Sequence, residues 1–160
     1  MTDLRPPIAV LAEGGVEFIL IGGAAAIAHG SARLTYDVDV VYRRTPENIA
    51  RLVAALAPHH PYLRGAPPGL PFLWDAETIR HGLNFTLTTD LGSLDLLGEV
   101  TGGGTYDDIL PHCVTLTVFG LKCLCLNLET LIRVKRAAGR PKDFEAIAEL
   151  EVIREERDAM

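Results

Sequence analysis

The 160-residue chain is short of cysteine, of aromatic residues, of long apolar runs and of positive charge. Each shortage closes off a class of function. The three cysteines, Cys113, Cys123 and Cys125, fall within thirteen residues of apolar, strand-like sequence. No second cysteine pair and no histidine stands at finger spacing, so a structural zinc site is not expected. An odd number of thiols in apolar sequence reads as small buried side chains in a reducing compartment. The longest apolar run, Phe18 to Ala28, is broken by Gly22-Gly23. It is too short to span a bilayer, which needs about 20 apolar residues in a helix. The N-terminus reads Met-Thr-Asp-Leu-Arg-Pro-Pro, with no basic segment leading into an apolar one. No secretory signal is expected from it, and the expected location is cytoplasmic. Lys and Arg number 15 against 21 Asp and Glu, a formal charge of −6. That balance disfavours a protein that coats nucleic acid through many phosphate contacts, while leaving room for a local basic patch.

What is present is an ordinary globular mixture, 48% hydrophobic and 22% charged. A chain of this length buries roughly 70% of the surface it exposes when unfolded, enough for one core. The whole of 1–160 is expected to form a single α/β domain. Pro6-Pro7 opens a helix that Gly14-Gly15 stops. Glu17 to Ile21 is a buried strand, and Gly22-Gly23 turns the chain into a helical stretch ending at Gly30. Asp37 to Tyr42 is a strand. Thr45-Pro46-Glu47 starts a helix with Ile49, Leu52, Val53 and Leu56 on one face. Residues 58–74 carry five prolines and read as a long irregular segment. Asn84–Thr88 and Ser93–Leu97 form a hairpin, and Val114–Phe119 and Leu121–Leu126 form two more strands. Asn127 caps a helix that Gly139 ends, and Pro141 begins the last one.

The chemistry lies in Ile21 to Val41, IGGAAAIAHGSARLTYDVDVV. Glycines between a strand and a helix let backbone approach a ligand closely, and helix-start N–H groups suit phosphate. A plain tight turn is the alternative reading. Asp37 and Asp39 share one strand face, with Val38 and Val40 on the other. Side-by-side carboxylates repel unless a cation neutralises them, and hard oxygen ligands suit Mg²⁺ or Mn²⁺. The alternative is a solvated acidic face. Asp95, flanked by Leu94 and Leu96, is an acid in an apolar strand that must meet water or a cation. His29 reads equally as a helix-end cap and as a ligand contact. Tyr62, Phe72 and Trp74 read as loop anchors, and His59-His60 lacks a third metal ligand.

The order Gly-Gly, thirteen residues, Asp-Val-Asp-Val, then an isolated acid in an apolar strand resembles the DNA polymerase beta-type nucleotidyltransferase superfamily. The wording HGSARLTYDVDVV and the stretch LNLETLIRVKRAAGRPKDFEAIAEL resemble its small bacterial branch, which includes toxin–antitoxin nucleotidyltransferases. The resemblance covers about residues 16–150. It implies a mixed, mostly antiparallel sheet flanked by helices, with a C-terminal helical pair. It implies two-metal transfer of a nucleoside monophosphate from an NTP to a hydroxyl on an RNA end, a protein or a small molecule, with release of pyrophosphate. Asp37, Asp39 and Asp95 would be the catalytic and metal-binding acids, with Mg²⁺ or Mn²⁺ as cofactor. Gly22, Gly23, Ser31, Arg33, Thr35, Lys135 and Lys142 would bind the nucleotide. A partner protein encoded nearby is a further implication, and a non-catalytic nucleotide-binding component of a toxin–antitoxin pair is the alternative function.

Overall fold

A computed structural model describes residues 3–160. Its elements are helix α1 (Arg5–Glu13), strand β1 (Phe18–Ile21), α2 (Gly22–Ala28), β2 (Asp37–Tyr42), α3 (Pro46–Leu56) and β3 (Tyr62–Leu63). Then come α4 (Ala76–His81), β4 (Phe85–Thr89), β5 (Gly92–Leu97), β6 (Glu99–Val100), β7 (Gly104–Thr105) and α5 (Tyr106–Ile109). Strands β8 (Cys113–Val118) and β9 (Leu121–Leu126) and helices α6 (Leu128–Ala138) and α7 (Pro141–Asp158) complete the chain. Seven strands form one sheet in the order β3-β4-β5-β2-β1-β9-β8, and β6 and β7 pair separately. Two junctions of the large sheet, β2 with β5 and β1 with β9, are parallel, and the rest are antiparallel. The sheet is therefore mixed and mostly antiparallel.

Local sequence explains the boundaries. Thr45 and Asn127 accept hydrogen bonds from the backbone N–H groups of Asn48 and Thr130, at 3.2 and 2.8 Å, and so cap α3 and α6. Gly139 takes the left-handed conformation that ends α6. Helix α2 begins at Gly22 itself, so the glycine pair forms the first turn of the helix.

Alternation along the strands divides the sheet into two faces. Val38, Val40, Leu94, Leu96 and Leu87 are fully buried, and Ile8, Leu11, Ile49, Leu52 and Leu56 of α1 and α3 belong to the same core. The opposite face carries Asp37, Asp39 and Asp95 and lies beneath α2 and α6. Register is locked by Asn48, which is fully buried. Its Nδ2 donates to the Glu17 and Arg43 carbonyls at 2.9 and 2.8 Å, and its Oδ1 accepts from the Glu17 N–H at 2.6 Å. A buried amide with its bonds satisfied ties β1 to β2 where both leave the sheet. No helix among the described residues is long and apolar enough to cross a membrane.

Candidate active site

The parallel register of β2 and β5 sets Asp39 directly opposite Asp95, with Asp37 two residues along the same face. The antiparallel register of β1 and β2 sets Ile21 opposite Asp39, which brings the start of α2 over that acid. Gly22 has φ +65°, and a Cβ there would collide with the Asp39 carboxylate. A Cβ on Gly23 would lie 2.7 Å from Thr35 Oγ1. Both glycines are thus required by close approach, Gly22 to Asp39 of the acidic strand and Gly23 to Thr35 just before it.

Asp39 is the most perturbed acid of the site. Its carboxyl pKa is pushed up to about 7, first by burial, then by hydrogen bonding with Asp95 and by the charges of Asp95 and Asp37. The Lys135 ammonium pulls the other way. Asp39 Oδ1 is buried without a hydrogen-bond partner. A buried, unpartnered carboxylate oxygen among like charges is the donor a divalent cation satisfies. The three carboxylates accordingly fit Mg²⁺ or Mn²⁺ by donor chemistry. They do not form a ready cluster: among the described residues no three His, Cys, Asp or Glu side chains stand in metal-holding geometry. A cation of the chain itself occupies the place, since the Arg64 guanidinium contacts Asp95 and lies 3.7 Å from Asp37 Oδ1.

A cavity of about 200 Å³ gathers the nucleotide-binding candidates. Gly22, Gly23, Ser31, Arg33, Thr35, Lys135 and Lys142 line it together with Asp37, Asp39 and Asp95. Arg140 joins them. Asp143, only 3% exposed, holds Arg140 in place by accepting from its Nε at 2.9 Å and from its backbone N–H at 3.2 Å. Burial would raise the Asp143 carboxyl, but the hydrogen bonds and charge of Arg140 outweigh it and hold the pKa down. Lys135 is shifted down by burial, against the opposing pull of Asp143 and Asp39. Ser31 and Arg33 are tied to the last helix. The Ser31 hydroxyl donates to Glu149, whose second oxygen accepts the Ala32 N–H at 3.1 Å, and Arg33 pairs with Glu145 at 3.3 Å.

A second cavity of about 430 Å³ opens on the other side of the acids. Gly22, Asp39, Asp95, Lys135 and Arg140 belong to both. Its remaining wall comes from Phe85, Leu96, Leu97 and Val100 and from Leu131, Val134, Ala137 and Ala138 of α6, with Asn84, Thr86, Thr101 and Glu99 as the polar groups.

Sequence reading had no signal for Arg64. It stands far from the acids in the chain, in the proline-rich stretch, and the pairing of β3 with β4, and of β4 with β5, brings it near them. His29 lies outside both cavities. Its Nε2 donates to the Leu126 carbonyl at 2.7 Å and its Nδ1 accepts from Arg157 at 3.1 Å, a tautomer fixed by its two partners. It pins α7 to the end of β9. His29→Ala is expected to lower stability by about 1–2 kcal/mol, measured by denaturant melting, and to leave nucleotide affinity unchanged. His59 and His60 both face Asp90, at 2.9 and 3.2 Å. Tyr62 packs edge-on against Phe72, and Trp74 Nε1 donates to the Val53 carbonyl at 3.0 Å. All three aromatics anchor the loop.

No protein-family model matches the chain, and no curated protein matches it. Solved structures do. The lincosamide antibiotic adenylyltransferase LnuA, in its lincomycin-bound form, superposes with a TM-score of 0.61 at 14% identity, over 94% of this chain and 95% of that one. The enzyme ANT(2'')-Ia, in complex with adenylyl-2''-tobramycin, gives 0.55 at 14% identity, over 98% and 95%. The solution structure of the antibiotic-resistance factor ANT(2'')-Ia gives 0.52 at 16%, over 95% and 87%. The chain has the polymerase beta-type nucleotidyltransferase fold. In this fold as the chain builds it, the glycine pair, the Asp-Val-Asp strand and the later isolated acid meet at one point of the sheet.

Proposed function

We propose that the chain is a divalent-metal-dependent nucleotidyltransferase whose acceptor is a small hydroxyl compound. The observation that carries this is the pair of cavities meeting at Asp39 and Asp95, one with four basic side chains set among the acids and one with an apolar wall on two sides. Arg33, Lys135, Arg140 and Lys142 give the smaller cavity the charge to hold a triphosphate. The larger cavity holds no cation beyond the shared Lys135 and Arg140, and it presents Glu99. A phosphate backbone running into it would find no cation beyond those two, which disfavours an RNA end. Its volume and apolar wall suit a compact molecule with an apolar body, and Glu99 suits a cationic group on it.

A divalent ion held by Asp37, Asp39 and Asp95 would neutralise charge developing on the α-phosphate and acidify the attacking hydroxyl. The chain's own residues supply position. Lys135 and Arg140 line both cavities and would hold the α-phosphate between them. The acceptor oxygen bonds to the α-phosphorus, the bond from that phosphorus to the bridging oxygen of pyrophosphate breaks, and Asp95 takes the hydroxyl proton. Both LnuA and ANT(2'')-Ia are described with antibiotics, which supports a small-molecule acceptor by likeness of fold.

The test is incubation with labelled NTPs, Mg²⁺ and a panel of small hydroxyl compounds, alongside RNA. Acceptor-dependent pyrophosphate release by wild type and none by an Asp37→Ala/Asp39→Ala variant is expected. Label on RNA alone would overturn the acceptor assignment. NTP binding without release under every condition would favour a regulatory nucleotide-binding component.

A further inference from the structure

We propose that Arg64 is a tethered counter-cation that competes with the divalent ion for Asp37 and Asp95, so that the metal enters this site as a complex with the triphosphate. The inference rests on the metal-dependent reading above.

The Arg64 backbone is fixed. Its N–H donates to the Thr86 carbonyl at 2.9 Å, one residue beyond the pairing of Leu63 with Leu87. The side chain then crosses β4, where Nη1 donates to the Leu87 carbonyl at 3.3 Å. Its far end contacts Asp95 through Nη2, and Nη1 lies 3.7 Å from Asp37 Oδ1. Arg64 and Asp95 are 28% and 25% exposed, shielded enough for the attraction to count and open enough for exchange. Only the flexible arm must move to release the acids.

The guanidinium serves two of the three acids and leaves Asp39 Oδ1 without a partner. A hydrated free ion gains all three carboxylates only by stranding Arg64, which then has no other anion within its contacts. Arg64 lines neither cavity itself, but Asp37 and Asp95, which it contacts, line the smaller one, and a triphosphate there brings oxygens that can take the guanidinium those acids release. Metal and triphosphate therefore help each other bind, and linkage makes the help reciprocal.

Calorimetric titration of the full chain with Mn²⁺ alone, and with preformed Mn²⁺–tripolyphosphate, tests this without any turnover. Wild type is expected to bind the complex at least about tenfold more tightly than Mn²⁺ alone. Arg64→Gln is expected to bind Mn²⁺ alone about tenfold more tightly than wild type does, a change equivalent to about 1.4 kcal/mol. Its preference for the complex should shrink accordingly. Unchanged or weaker Mn²⁺ binding by Arg64→Gln overturns the competition and leaves the metal site standing. Failure of both proteins to bind Mn²⁺ in either form overturns the metal reading and Arg64's role with it. If melting shows that Arg64→Gln does not fold, Arg64→Lys carries the test. An ammonium is a point charge without the guanidinium's two-pronged fork and holds the pair of acids less well, so the variant's Mn²⁺ affinity is expected to rise too, and no rise overturns the proposal.

Discussion

Asp39→Asn should abolish nucleotidyl transfer while making the apo protein more stable. The two effects have one cause. The native Asp39 carboxyl titrates near 7 because burial, and then the closeness of Asp95 and Asp37, penalise its ionised form. In the unfolded chain an aspartate titrates near 3.9. Between about pH 4 and pH 7 the native state therefore binds more protons at this group than the unfolded state does. Stability falls as pH rises through that window, the reverse of an ordinary salt-bridged aspartate. The amide removes the ionisation, so melting of Asp39→Asn should lose that part of the slope. It should exceed wild type by about 1–3 kcal/mol at pH 7.5 without divalent ions. Activity moves the other way. If Asp39 holds the metal as proposed, its loss removes several kcal/mol of charge stabilisation, or a fall on the order of 10³ in pyrophosphate release. Unchanged turnover would remove Asp39 from the reaction. A less stable variant would show that the carboxylate is satisfied in a way its surroundings do not reveal.

Legibility from sequence followed the range of the interactions. Thr45-Pro46, Asn127 and Gly139 mark helix ends through contacts within a few residues, and the structure has those ends. Asp37 and Asp39 lie on one face because the strand repeat is two, again a local matter. The meeting of Asp95 with Asp39 depends on a parallel pairing of β2 with β5, which nothing near either residue specifies. Resemblance to a known pattern, rather than physics of the segment, suggested it. Arg64 shows the limit: its place beside the acids comes from β3, two residues long, laid against β4 in a stretch whose prolines suggest no regular structure. The aspartates that accept from Arg140 and from His59 and His60 became visible as partners only with the fold. Asp143 could be read in sequence as a first-turn acid, and it is one, but its buried carboxylate also aims a cavity-lining arginine.

Gly22→Ala is expected to be the most damaging of the small substitutions, and for a reason beyond phosphate binding. With φ at +65°, any L-residue at this position is strained, by about 1–2 kcal/mol. The added methyl also meets the Asp39 carboxylate, its Cβ and its Cγ, the last two at 3.1 Å. Overpacking of this kind adds about 1–3 kcal/mol, because Asp39 sits on a central strand that cannot shift without breaking its register with β1 and β5. A total near 3 kcal/mol corresponds to a fall in Tm of about 6–12 °C for a chain of this size. The two contributions can be separated. Asp39→Gly in the Gly22→Ala background removes the collision and leaves the backbone strain, so it should recover about half of the lost Tm and none of the activity. Full recovery would mean that the left-handed turn is not a constraint. No recovery would mean that the alanine displaces the turn away from Asp39 altogether. Asp39→Gly alone supplies the baseline for that comparison. Since Gly22 both begins α2 and makes room for Asp39, the glycine that lines the proposed nucleotide cavity is the same one that lets the acid stay under it.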